Sequence, residues 1–262
     1  MAQAVILGSA FSQGKVGELE LIPEEVMTSF GTATLHRVKG KDAWVLFRHG
    51  APHRYLPNQI PYRAHAAALR SVGCQALLVT SSVGVLDLSI PLDKPLWVQD
   101  LMMPENRLPD GSACSMFVLP SFRQGHLVLE DGLFSSALRP QVEELCLQQQ
   151  WPLGGEVVFA YVGGPRTKTA AENKLWAQWG AQVNSMTLGP EVVLANELEI
   201  PTAAVVVGHK YSVPGHKDPL DKDSISASLQ RSHEALEQLV VAFLRDAKPV
   251  PFANRIYRFD HK

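Results

Sequence analysis

Short bursts of Val, Ile, Leu and Ala recur along the chain at roughly 4–8, 43–48, 75–82, 95–99, 156–161 and 202–207, separated by segments with helical spacing. Apolar runs of that length, without polar alternation, are strands buried on both faces, and strands alternating with helices build a parallel sheet with helices against it. Tyr62 to Val72 places Ala64, Ala67, Ala68 and Leu69 at helical spacing and is closed by Gly73. Thr169-Ala170-Ala171-Glu172 is a capping box, and the helix it opens is expected to bury Leu175, Trp176 and Trp179. Pro190 stands where a first-turn proline is tolerated, ahead of Val192, Val193, Leu194 and Leu198. A last helix, from about Ser224, repeats Ile225, Leu229, Leu236, Val240, Phe243 and Leu244 along one stripe. The expected architecture is three-layer α/β, a central mixed, mostly parallel sheet flanked by helices, with ligand sites at the carboxyl ends of the strands. Met102–Ser115 and Gly208–Ser224, rich in Pro, Gly and charge, are expected to be loops.

With 262 residues, 46% hydrophobic and 19% charged, the chain can build one large core, so 1–262 is expected to be a single domain. A formal net charge of −2, with scattered Lys and Arg, gives no electrostatic footprint for nucleic acid or an anionic membrane. Cys74, Cys114 and Cys146 are odd in number and lack CxxC spacing, which suits a reducing cytoplasm and indicates neither disulfide nor zinc. The start of the chain has no basic leader, and no apolar run approaches the ~18 residues of a membrane span.

GxxxxGK[ST], GxGxxG after the first strand, HExxH and GxSxG are all missing, which removes support for nucleotide triphosphate hydrolysis, dinucleotide binding, zinc proteolysis and the serine-hydrolase elbow. His49 and His53 are four apart without a third ligand nearby, so hydrogen-bonded loop histidines are favoured over a metal pair, and no metal is expected. What remains is a series of strand-end groups: Gly8-Ser9, Arg48-His49-Gly50, Thr80-Ser81-Ser82-Val83-Gly84, and Ser185-Met186-Thr187 leading into the Pro190 helix. Taken singly, each is a turn, a strand end or a surface cation. Together, a guanidinium, an imidazole, hydroxyls and backbone N–H groups are what a phosphate dianion requires.

In this order the segments resemble the methylthioadenosine and purine nucleoside phosphorylase family, in its trimeric branch. The resemblance runs from Val5-Ile6-Leu7-Gly8-Ser9 through Arg48-His49-Gly50, Pro57, Tyr62 and Ala68-Leu69. It continues through Thr80–Gly84 and Gly164-Pro165-Arg166 with Glu172 to Met186-Thr187 and Pro190-Glu191-Val192-Val193-Leu194-Ala195. It implies that Ser9, Arg48, His49, Ser81 and Thr187 hold phosphate with Ser82 close by, that Met186 and Ser185 meet the ribose, and that the enzyme works as a homotrimer. Inorganic phosphate would be a co-substrate and no cofactor would be needed, since phosphate itself attacks the anomeric carbon as the purine leaves.

The base end departs from the family. A stacking Phe is replaced by Thr167, the following Glu of enzymes acting on 6-oxopurines is Lys168, and the Asp or Asn that reads the 6-position is matched by Lys210. Two readings stand. Either both lysines are solvated and the purine site is weakly specific, or Lys210 points at the base, where a donor-only ammonium favours an oxopurine over adenine and stabilises an anionic leaving group. His209, Tyr211 and His216 are alternative contacts. At the 5′ end, Ile225 is either a contact for a methylthio group or ordinary helix core, and His126 of a neighbouring copy is a further candidate. The functions in competition are a phosphorylase, an inactive or repurposed relative that binds phosphate and a nucleoside-like ligand, and a nucleosidase using water.

Overall fold

A computed structural model describes residues 2–121, 124–216 and 222–258; within the last helix, only the backbone is described for 222–226 and 228–229. The elements in chain order are β1 (Ala2–Leu7), β2 (Leu21–Thr28), β3 (Gly31–Val38), β4 (Ala43–Phe47), α1 (Tyr62–Ser71), β5 (Cys74–Val85), β6 (Pro95–Met102) and β7 (His126–Val128). They continue with α2 (Arg139–Gln148), β8 (Glu156–Tyr161), α3 (Ala170–Gln178), β9 (Val183–Ser185), α4 (Gly189–Glu197), β10 (Thr202–Tyr211), α5 (Lys222–Asp246) and β11 (Arg255–Tyr257).

Nine strands form one mixed sheet in the order β10-β6-β8-β9-β5-β1-β4-β3-β2, while β7 and β11 form a separate pair. The β1–β4, β1–β5, β5–β10, β6–β8 and β8–β9 pairs are parallel. Because β10 pairs with β5 as well as with β6, the strands β5, β10, β6, β8 and β9 close on themselves. The expected mixed, mostly parallel α/β architecture is therefore present. The six apolar bursts are β1, β4, β5, β6, β8 and β10, whose Val, Leu and Ala side chains are almost wholly buried in one core cluster.

Four expectations need correction. The Thr80–Gly84 hydroxyl run does not end its strand: β5 continues to Val85, pairing with both β9 and β10, because hydroxyl side chains keep the ladder's backbone bonds while interrupting the apolar pattern. Gly208–Tyr211, read as loop, belong to β10, where the register shifts between Gly208 and Lys210 and His209 takes the bulged position. The last helix begins at Lys222, two residues before the expected start. Finally, α3 carries its capping box (Thr169 Oγ1 accepts from Glu172 N–H, 3.2 Å, and Glu172 Oε2 accepts from Thr169 N–H, 2.7 Å) but does not bury the expected face. Leu175 is 42% and Trp179 54% exposed, with only Trp176 partly covered, so helical spacing identified the helix and not what its apolar side meets.

The sequence pattern also missed β2 and β3, an antiparallel hairpin with Leu21 opposite Val38 and Thr28 opposite Gly31. Its strands hold Glu24, Glu25, His36 and Arg37 on a half-exposed edge, so no apolar burst marks them. The amphipathic helix α2, packed through Val142, Leu145 and Cys146, was missed as well.

Candidate active site

The carboxyl ends of the parallel strands β1, β4, β5 and β10 open into a cleft of about 670 Å³, within the range of small-molecule sites. Ser9 enters it from the turn after β1, Arg48 and His49 from the turn after β4, and Ser81 and Ser82 from β5. Ser185, Met186 and Thr187 enter from the β9–α4 turn, Thr167 and Lys168 from just ahead of α3, and Lys210 from β10. Every described candidate of the phosphate and base sets therefore lines one cavity. His209, Tyr211 and His216 line it too. The side chain of Ile225 lies outside the described residues. His126, on β7, stacks on Tyr257 with ring centroids 5.1 Å apart and does not line the cavity of its own chain.

Arg48 is not a surface cation. It is fully buried, and its guanidinium edge is bidentate to Glu191: Nε donates to Oε1 at 2.7 Å and Nη2 to Oε2 at 2.5 Å. Nη1 donates to the Thr80 carbonyl at 2.7 Å. Three of the five guanidinium N–H groups are thus committed, which leaves two for a ligand. A Cβ on Gly8 would lie 2.8 Å from Nη1, so glycine at that turn is what admits the guanidinium between β1 and β5. The charged head touches the immediate neighbours of Ser9 and Ser81, and Glu191 ties it to the first turn of α4, just beyond Thr187. Glu191, the residue that fixes Arg48, was quoted in the sequence only as part of a recognisable run.

Thr187 is presented by a tight turn. Leu188 has φ +74° and ψ −49°, and the Gly189 N–H donates to the Thr187 carbonyl at 3.0 Å, which is the uncommon γ-turn. A leucine there carries backbone strain of about 1–3 kcal/mol, and such strain persists where surrounding packing over-determines the site. Leu188 is fully buried, which supplies that packing.

His49 Nδ1 lies 2.8 Å from the Tyr55 carbonyl, an acceptor only, so Nδ1 carries the proton and Nε2 holds a lone pair. Burial, then the Arg48 charge, lowers its pKa to about 4. His65, buried on α1, is lowered to about 3 by burial and by Arg48, and His209 to about 4 by burial, Lys210 and Lys168. At neutral pH the end of the cleft around Arg48 is therefore close to electroneutral: a paired Arg48–Glu191, a neutral His49 and hydroxyls. What that end offers an anion is a set of aimed donors.

The linkage has a measurable sign. Imidazoles that titrate near 6.5 in the unfolded chain take up protons before the folded ones do, so stability is full above pH 6.5 and falls as the pH drops towards 4. For His49 alone the loss by pH 4 is roughly 3 kcal/mol. Urea unfolding midpoints measured from pH 7.5 to 4.5 should decline monotonically, and His49→Asn should flatten the decline.

The positive charge sits at the other end. Lys168 has its pKa lowered to about 8 by burial and then by Lys210, with Glu172 acting in the opposite direction. Glu172 is already held by Arg166, whose Nη1 and Nη2 donate to its two oxygens at 2.9 and 2.7 Å. Asn184, also on the wall and 1% exposed, donates from Nδ2 to Asn173 Oδ1 at 3.1 Å. Neither Asn184 nor Asn173 was singled out in the sequence, because neither belongs to a motif. His49 and His53 stack at 4.4 Å, and among the described residues no group of three or more His, Cys, Asp or Glu could hold a metal ion. All three cysteines are buried and unpaired. Among the described residues, no helix is long and apolar enough to cross a membrane.

A strand-end cleft of hydroxyls around a fixed guanidinium, on a mixed sheet partly closed on itself, defines an anion-using α/β enzyme class. The sequence model of the phosphorylase superfamily matches residues 4–245, and the chain belongs to that superfamily. It is 30% identical over 223 residues to the S-methyl-5′-thioadenosine phosphorylase of Aedes aegypti, covering 79% of this chain and 75% of that protein. It is 29% identical over 231 residues to a probable 6-oxopurine nucleoside phosphorylase of Dictyoglomus turgidum, covering 85% and 84%. The methylthioadenosine phosphorylase of Schistosoma mansoni in complex with adenine shares the fold, with a TM-score of 0.78 and 21% identity over 93% of this chain and 91% of that one.

Proposed function

We propose that the protein catalyses phosphorolysis of purine nucleosides: a phosphate oxygen bonds to the anomeric carbon, the carbon–N9 bond breaks, its electron pair leaves with the base, and the proton lost from hydrogen phosphate is matched by one the base takes up, giving free purine and pentose 1-phosphate. The observation that carries this is the Arg48 guanidinium, locked by Glu191 and the Thr80 carbonyl and lining one cleft with hydroxyls from the turn after β1, from β5 and from the β9–α4 turn. Ser9, Ser81, Ser82, Thr187 and the two remaining Arg48 N–H groups hold the phosphate below the sugar, where its charge opposes the oxocarbenium that develops as the base departs. Ser82 Oγ is buried without a protein partner, which suits a hydroxyl kept for a ligand. His49 Nε2, a lone pair at neutral pH, accepts a hydrogen bond from a protonated phosphate oxygen. Met186, seated on Gly164, and Ser185 meet the ribose, while Thr167, Lys168 and Lys210 line the base end. Ile225 is either a contact for the 5′ substituent or ordinary helix core.

Residues 1–262 act in this proposal as one domain, in a cytoplasmic homotrimer. The exposed Trp179, which lines a shallow apolar depression with Leu101–Pro104, and the exposed Leu175 on α3 are the kind of apolar surface that an assembly covers. A single-chain mass by sedimentation would reject the trimer.

The test is a panel of inosine-type and adenosine-type nucleosides, with and without 5′-methylthio groups, assayed with phosphate varied. Base release that saturates with phosphate and stops in its absence is the expected result. Release without phosphate would instead mark a nucleosidase. Ligand-induced thermal stabilisation with no release from any nucleoside would mark a binding relative that has lost turnover.

A further inference from the structure

We infer that the base end of this cleft selects an acidic oxopurine, a 2,6-dioxopurine held as its ring-deprotonated monoanion, in preference to a neutral 6-oxopurine or 6-aminopurine. The inference rests on the phosphorylase reading and concerns which base that site takes. Lys168 and Lys210 come from different elements, the turn ahead of α3 and the end of β10, and line the same wall. They are close enough for each to act electrostatically on the other's surroundings: Lys210 lowers the pKa of Lys168, and both lower that of His209. Among the described residues lining the cleft there is no aspartate and no glutamate. Among the described residues the acid that acts on Lys168 is Glu172, which is outside the lining and already bound by both terminal nitrogens of Arg166.

One neutral group adds a donor. Asn173 receives the Asn184 amide on its Oδ1, so its own NH₂ remains as a donor beside the two ammonium groups. Among the described residues, a ligand filling this end meets two lysines and no side-chain carboxylate that could accept a proton. A 6-amino group, itself a donor, is mismatched there. A neutral 6-oxopurine offers O6 and N7 as acceptors but leaves two like charges uncompensated in a partly buried cavity, which is costly. A 2,6-dioxopurine, whose ring N–H ionises near neutrality, spreads one negative charge over two carbonyl oxygens and the ring. It presents acceptors to both lysines and halves the excess positive charge.

The experiment compares kcat/KM for phosphorolysis of xanthosine, inosine and adenosine at pH 7 with saturating phosphate, together with calorimetric binding of free xanthine and hypoxanthine. Xanthosine should exceed inosine by about tenfold or more, carried by KM, and xanthine should bind correspondingly tighter. Lys168→Gln and Lys210→Gln should each bring the ratio towards one, while Lys168→Arg, which keeps the charge, should preserve it; thermal melts would verify that each variant folds. Turnover of inosine or adenosine with no advantage for xanthosine would overturn the inference and leave the phosphorylase reading intact. Absence of turnover with every nucleoside would defeat that reading, and the comparison of xanthine with hypoxanthine would still decide this one: equal binding overturns it, tighter xanthine binding sustains it.

Discussion

Truncating Glu191 to alanine should destabilise the fold by about 3–5 kcal/mol and remove phosphate-dependent turnover, although this carboxylate is not expected to touch substrate. Arg48 and Glu191 are both essentially excluded from water, and their side chains meet through two hydrogen bonds in bidentate geometry. Without the carboxylate, the guanidinium is left buried with one carbonyl partner, Thr80, and an uncompensated charge. It would then either draw water into the core or swing away from the channel that Gly8 keeps open for it. Denaturant midpoints report the first effect. The second appears as loss of the thermal stabilisation that phosphate gives the native protein. Glu191→Gln separates the two causes: it keeps the shape and one acceptor, so it should cost less stability than alanine while still loosening the guanidinium. A Glu191→Ala protein that melts like the native one and binds phosphate equally well would refute the role assigned to this pair.

The two halves of the site differ in how far the sequence exposes them. Turns are local, and a glycine followed by a hydroxyl, or Arg48-His49-Gly50 after five apolar residues, shows its place at a strand end without knowledge of the rest of the chain. The same holds for Thr169 and Glu172, whose reciprocal bonds span three residues. The Arg48–Glu191 pair spans 143 positions, and neither periodicity nor spacing links its members. The charge balance around Arg48 follows from that pair and from the burial of His49 beside Tyr55, neither of which spacing or residue type reveals. Strand lengths were underread for a related reason: Ser81, Ser82, His209 and Lys210 interrupt the apolar pattern where β5 and β10 run on into the cleft. Those polar intrusions line the cleft, so the apolar pattern fails where the candidate site is built. Leu175 and Trp179 show the opposite failure, since their helical spacing is sound and the partner surface is not within this chain's described core.

Replacing both members of the buried pair by apolar residues of similar volume, Arg48→Met with Glu191→Leu, should recover most of the stability that either single truncation loses. Two desolvated charges vanish together, and a buried ion pair exchanged for packed side chains is often neutral or stabilising. Recovery should stop short of native by about 1–3 kcal/mol, because the Thr80 carbonyl loses the Nη1 donor that satisfies it. Function should not recover at all: the double variant retains Ser9, Ser81, Thr187 and the strand-end cleft but has no guanidinium to hold an anion. A folded, cooperative protein with no phosphate-induced shift in melting temperature is the expected result, measured beside the two single variants as a double-mutant cycle. If the double variant folds and still releases base in proportion to phosphate, the anion is held by the hydroxyls alone, and the pair serves only the architecture of β4 and α4. If it fails to fold while each single variant survives, the pair contributes shape that Met and Leu cannot supply, and the electrostatic account of its cost is wrong.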